Sequence, residues 1–166
     1  MNLTNKYMGY SGIEYIFEYS DSDSFDHLDK TKCTQTYGVC FYDGKIVIGY
    51  NGKKKFWGLV GGTIEKGETF EQTLKREVKE ESNMEVLSFL PIGYQKCIDT
   101  RDESFDYQLR YACIVKPYGP FTSDPAGSIA EIKLIDIKDY KQYFDWGSIG
   151  ERIMERASEI LHKLSK

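Results

Sequence analysis

The stretch from Gly58 to Met84 constrains the fold more than any other part of the chain. It places Gly58, Gly61, Gly62 and Gly67 within ten residues and then opens a helix. Thr69 followed by Gln72 has the spacing of a capping box, in which each side chain bonds the other residue's backbone N–H. The predicted helix runs from Phe70 to Ser82. At about 100° per residue, Phe70, Leu74 and Val78 form its apolar stripe, and Gln72, Lys75 and Lys79 lie on the solvated side. Glu77, Glu80 and Glu81 stand at i, i+3 and i+4, centred about 60° from the middle of that stripe. Three carboxylates therefore stack at the edge of a core, where mutual repulsion and partial burial both oppose ionisation. Arg76 is the internal cation near that edge, and one guanidinium cannot neutralise three carboxylates. An oxygen-only cluster suits a hard divalent cation, Mg2+ or Mn2+. The competing reading is a solvated helix laced with Lys75 and Lys79 salt bridges, which the edge position of the glutamates opposes.

The flanking sequence is rich in strands. Gln35 to Tyr42 and Lys45 to Tyr50 flank Asp43-Gly44, a hairpin signal. Further strands are predicted at Ile13 to Glu18, Val86 to Leu90, Ile92 to Ile98, Tyr107 to Val115 and Ile129 to Ile137. The acidic, Ser-rich run from Tyr19 to Asp26 reads as an exposed loop. Ser148 followed by Glu151 is expected to open a second helix, from about 148 to 164, with Ile149, Ile153, Ala157, Ile160 and Leu164 on one face. The expected fold class is α/β: a mixed sheet covered by helices, in a single domain spanning residues 1–166. Residues 1–32 read as an N-terminal extension with one strand, which covers a sheet edge, pairs with a second subunit or shapes a pocket.

Lys and Arg total 22 against 26 Asp and Glu, a net charge of -4. That balance argues against a protein that coats nucleic acid, and no DNA partner is expected. No apolar run approaches the roughly 20 residues of a membrane span, and Met1 to Lys6 lacks a basic-then-apolar signal, so the expected location is the cytoplasm. Cys33, Cys40, Cys97 and Cys113 form no metal-binding spacing with each other or with His27 and His162. Cys40 and Cys113 sit in apolar runs and read as plain buried thiols.

Gly62, Glu68, Arg76-Glu77, Val78, Glu80-Glu81 and Met84 together resemble the Nudix box, over residues 62–84. Asn83 stands where the pattern has a glycine, at a helix end that should be left-handed, which Asn tolerates. Val60 replaces a frequent proline. The resemblance implies a Nudix-like α/β/α sandwich and metal-dependent hydrolysis of the pyrophosphate bond in a nucleoside diphosphate linked to another moiety. Candidate substrates are a nucleotide sugar, an ADP-ribose-like compound or a nucleoside triphosphate. The alternatives are an RNA 5'-end pyrophosphohydrolase and a non-catalytic nucleotide sensor, the latter opposed by the intact carboxylates. By resemblance, Glu77, Glu80, Glu81 and the Gly62 (or Gly61) carbonyl are metal ligands, and Arg76, Glu77, Glu80 and Glu81 are the catalytic set. Glu68 would support the loop or a second metal. Candidates for the general base are Glu80, Glu81, Glu131, Asp99, Asp102, Glu103 and Asp106. Lys55, Trp57, Tyr94, Tyr107 and Glu131 are the substrate-binding candidates, and homodimers are frequent in the family. The downstream marker residues of the ADP-ribose and dinucleoside-polyphosphate subfamilies are absent near Asp99 and Arg101, as is the coenzyme A signature.

Overall fold

Strand pairing in this chain converges on one segment, Cys33–Tyr42 (β3), which is bonded on both sides along different parts of its length. A computed structural model describes residues 2–9, 11–125 and 127–164. Around β3 it sets β1 (Asn2–Met8), β2 (Glu14–Asp21), β4 (Lys45–Asn51), β5 (Phe56–Gly58), β6 (Val60–Thr63), β7 (Met84–Asp99), β8 (Phe105–Pro117) and β9 (Ile129–Ile135). The helices are α1 (Phe70–Ser82) and α2 (Gly147–Leu164). The strand order is β1-β2-β7-β8-β3-β4-β5, with β6 also on β3 and β9 also on β4.

β3 runs parallel to β8, and the other pairings are antiparallel, so the sheet is mixed. At the Asp43-Gly44 turn β3 and β4 pair only through Phe41, Tyr42, Lys45 and Ile46, and then they diverge. That leaves the other end of β3, Gln35 to Gly38, free to bond β6 instead. Leu74 and Val78 of α1 pack on one sheet face with Cys40, Val60, Leu109 and Cys113. Ile149, Ile153, Ala157, Ile160 and Leu164 of α2 pack on the other with Val39, Phe41, Ile46 and Ile48. The result is the expected α/β/α sandwich. Cys40 and Cys113, paired across β3 and β8, are fully buried free thiols. No helix among the described residues is long and apolar enough to cross a membrane.

The capping box forms: the Gln72 N–H donates to Thr69 Oγ1 (3.1 Å) and the Thr69 N–H to Gln72 Oε1 (2.9 Å). Asn83 ends α1 in the left-handed conformation (φ 56, ψ 40), with its side chain donating to the Pro120 carbonyl at 3.0 Å.

Several expectations need correction. The first 32 residues carry two strands, not one, and β2 continues to Asp21. The acidic run is not an exposed loop. Tyr19 is fully buried, Phe25 packs edge-on against Phe70 and Tyr111, and Asp21 and Asp23 pair with Arg152 and Arg156 of α2. The two strands predicted on either side of Pro91 are one strand, because bulges at Val86/Ser88 and Pro91/Gly93 absorb the interruption. Ser148 lies inside α2. The first N–H of that helix, on Gly147, bonds Asp145 Oδ1 at 2.9 Å, and Ser148 turns to Asn5.

Replacing Asn83 by Val is expected to lower unfolding free energy by about 1–2 kcal/mol more than replacing it by Gly, because only the β-branched residue resists the left-handed turn. Denaturant unfolding of the two variants measures this, and equal stabilities would contradict it.

Candidate active site

The site is assembled on the side of α1 that meets β6. Arg76 projects from the second turn of the helix, where each of its three guanidinium nitrogens finds an acceptor. Nε donates to Glu68 Oε2 (2.7 Å) and Nη2 to Glu68 Oε1 (2.9 Å) and to the Thr63 carbonyl (3.0 Å). Nη1 donates to Glu77 Oε1 (2.9 Å) and Glu80 Oε2 (3.2 Å). Glu68 accepts further from the Glu65 N–H and the Thr73 hydroxyl, both at 2.9 Å. The bidentate Arg76 contact holds the Glu68 carboxyl down at about 2.

Glu77 lies directly against the glycine loop. A side chain on Gly62 would place its first carbon 2.5 Å from the Glu77 carboxyl carbon, so a larger residue there would push the Glu77 carboxylate out of its place. Glu81 reaches the same backbone from the next turn, and its Oε1 accepts the Gly61 N–H at 2.8 Å. Burial raises the Glu77 carboxyl despite Arg76, and burial pushes Glu81 up to about 8, aided by the charges of Glu77, Asp124 and Glu80. Asp124, 6% exposed, is the residue that the sequence reading missed. It sits in the loop before β9, where its Oδ2 accepts the Ser128 and Ile129 N–H groups (3.3 and 3.0 Å). An Asp in a Ser-Asp-Pro turn carries no signal that it folds back toward α1.

Glu77, Glu80, Glu81 and Gly62, which the resemblance implies as a ligand set, lie together along this edge of α1 and its loop. Among the described residues no three acidic, His or Cys side chains are already gathered as a metal cage. Two of the carboxylates lean on Arg76 and one on Gly61. The donor chemistry nevertheless fits a hard divalent ion: the groups are all oxygen donors, and two carry raised carboxyls that a cation would relieve.

The five substrate-binding candidates do not gather. Lys55 sits on the β4–β5 turn with φ 61. Trp57 packs between Tyr50 and Tyr143, Tyr94 contacts Tyr107 and His27, and Glu131 is exposed on β9. Two carboxylates of the acidic hairpin are spent on its own turn, Asp99 bonded to Arg101 and Asp102 to Ser104. The large cavity of the described residues, about 560 Å³, opens elsewhere, beside Tyr37 and Leu59 under the start of α2. None of the five lines it.

A mixed sheet between two helices, with glutamates of one helix closing on a glycine loop, defines an α/β/α sandwich domain. The family model for the NUDIX domain matches residues 34–156, well over half of the chain, and the chain belongs to the Nudix family. Among solved structures it is similar to the Bacillus subtilis pyrophosphohydrolase BsRppH (15% identity, TM-score 0.69, covering 93% of this chain and 96% of that one). It is also similar to a NUDIX hydrolase from Nitrosomonas europaea (17%, TM-score 0.64, 77% and 90%). A third likeness is to a MutT NUDIX hydrolase from Burkholderia pseudomallei (16%, TM-score 0.59, 74% and 95%). At these identities the likeness speaks for the fold. No curated protein matches the chain.

Because Glu81 binds its proton more tightly in the folded protein than in the unfolded chain, its contribution to stability is fully present below about 4.5 and lost as pH rises toward 8. Chelator-treated protein should therefore melt at progressively lower temperature from pH 5.5 to 8.5, and Glu81→Gln should flatten that slope. An identical slope in the variant would contradict the burial argument.

Proposed function

We propose that this chain hydrolyses the pyrophosphate bond of a nucleoside diphosphate linked to another group, using Mg2+ or Mn2+ and attack of water on phosphorus. The observation that carries the reading is the convergence of Glu77 and Glu81 on the Gly61-Gly62 backbone, with Arg76 locked to Glu68 behind them. Glu77, Glu80, Glu81 and a carbonyl of Gly61 or Gly62 would hold the cation, which when bound offsets the charge of the phosphates. Arg76 holds Glu77 and Glu80 at a fixed depth, and Glu68 holds Arg76. Asp124, close enough for its charge to act on both Glu77 and Glu81, joins Glu80 and Glu81 as a group able to take the proton of the attacking water. Asp99 and Asp102, bonded within their own hairpin, are the weaker candidates. The intact carboxylates favour catalysis over a sensor that binds without cutting.

A coupled phosphate-release assay tests this with ADP-ribose, nucleotide sugars, dNTPs, GTP and a 5'-triphosphate RNA, each with Mg2+, Mn2+ or chelator. Turnover of one class only in the presence of a divalent ion is expected, and Glu80→Gln should lower kcat by about a hundredfold or more without loss of fold. Turnover in chelator, or a variant of full rate, overturns the mechanism.

A further inference from the structure

The cavity beneath the start of α2 contains a charge that no carboxylate answers among the described residues. Arg110, on β8, is 4% exposed and lines the cavity with its guanidinium stacked 4.8 Å from the centre of the Tyr37 ring. Its Nη2 donates to Gln108 Oε1 (2.9 Å), but the buried Nε and Nη1 have no hydrogen-bond partner, and no carboxylate pairs with it among the described residues. A buried guanidinium left this way is costly unless a ligand supplies the missing acceptors. The catalytic reading gives it no role, because Arg110 touches none of the Glu77, Glu80 and Glu81 carboxylates.

The walls say what kind of acceptor fits. Phe17, Phe56 and Trp146 join Tyr37 in presenting flat apolar surface, and Asp145 stands at the rim with Oδ1 accepting the Gly147 N–H at 2.9 Å. At about 560 Å³ the space is of the size that holds a small organic ligand. A simple anion would waste the aromatic walls, and an apolar ligand would leave Arg110 unpaired. A planar heterocycle with two adjacent acceptors satisfies both. The position also suits a substrate that spans two sites. Leu59 lines the cavity, and Gly61, which bonds Glu81, follows two residues on, about 7 Å along an extended strand.

We infer that this cavity is a nucleobase subsite selective for guanine, with Arg110 donating to the O6 and N7 edge, the aromatic side chains stacking on the ring and Asp145 accepting from the N1–H and 2-amino group. Adenine would set its 6-amino donor against an Arg110 donor, and pyrimidines lack the paired acceptor edge. The inference deepens the proposed hydrolase by naming the base of its nucleotide, and it rests on that reading for the phosphates' place at Glu77 and Glu81.

Calorimetric binding of GMP, AMP, UMP and inorganic phosphate to chelator-treated protein tests it without any hydrolysis. GMP should bind about tenfold or more tighter than AMP or UMP, and Arg110→Met should erase that preference. Asp145→Asn, at an exposed site, should reduce it as well, and serves if Arg110→Met does not fold. Equal affinity for the three mononucleotides in the wild-type protein overturns the inference, as does phosphate competing as well as GMP, which would make the cavity an anion site. Guanine-selective binding in a protein that turns over no nucleotide would refute hydrolysis alone, and turnover with no base preference would refute the subsite alone.

Discussion

The bidentate contact between Arg76 and Glu68 organises the site. It joins the helix to the loop that precedes it, and through the same guanidinium it reaches the Thr63 carbonyl, Glu77 and Glu80. Three like charges along one edge of α1 would otherwise splay toward solvent. Arg76 supplies one compensating charge, so the cluster is held together but not neutralised. The residual imbalance falls on Glu77 and Glu81, the two carboxyls whose burial raises them. A lysine at 76 could supply the charge but not the planar fork that engages Glu68 with two nitrogens.

The sheet divides the labour between its faces. The face under α1 carries the carboxylates, and the face under α2 carries the cavity, whose floor includes Arg110 and Tyr37. β6 joins the two, because its pairing with Gln35 to Gly38 of β3 brings Gly61 opposite Tyr37. Burial pushes the Tyr37 phenol up to about 12, opposed by the Arg110 charge on the cavity side and aided by the charges of Glu81 and Glu77 on the other, so one ring feels both sites. Part of the cavity wall comes from Asn5, Lys6, Tyr7 and Phe17, on strands that precede the residues matched by the family model. The N-terminal strands therefore extend the sheet and help to enclose the cavity.

The helix and its carboxylates were legible in the sequence because everything that fixes them is local: a capping box, a 3.6-residue stripe, an Asn able to turn left-handed. The glycine run, read as loop, also forms the short strands β5 and β6, since its partners lie on β4 and β3 and only the fold brings them near. Tyr94 and Tyr107 look like stacking residues in sequence, yet they face each other on the α1 side, while their neighbours Gln95 and Gln108 face the cavity. A one-residue difference along a strand reverses the face, and without the register no sequence rule says which of the two is presented. Arg110 escaped notice for the same reason, being one cation in an alternating strand with no motif around it. Asp124 was hidden by distance, 43 positions beyond Glu81 in the numbering of the chain.

The central claim is that the Glu77, Glu80 and Glu81 cluster is an incomplete set of charges that a divalent cation completes. Titration of Mn2+ followed by its electron paramagnetic resonance, in which bound ion loses the signal of the free aqueous ion, tests it most directly. The wild-type protein should bind Mn2+, and Glu77→Gln combined with Glu81→Gln should weaken that binding at least tenfold while circular dichroism shows the fold intact. Unchanged Mn2+ affinity in the double variant would contradict the account.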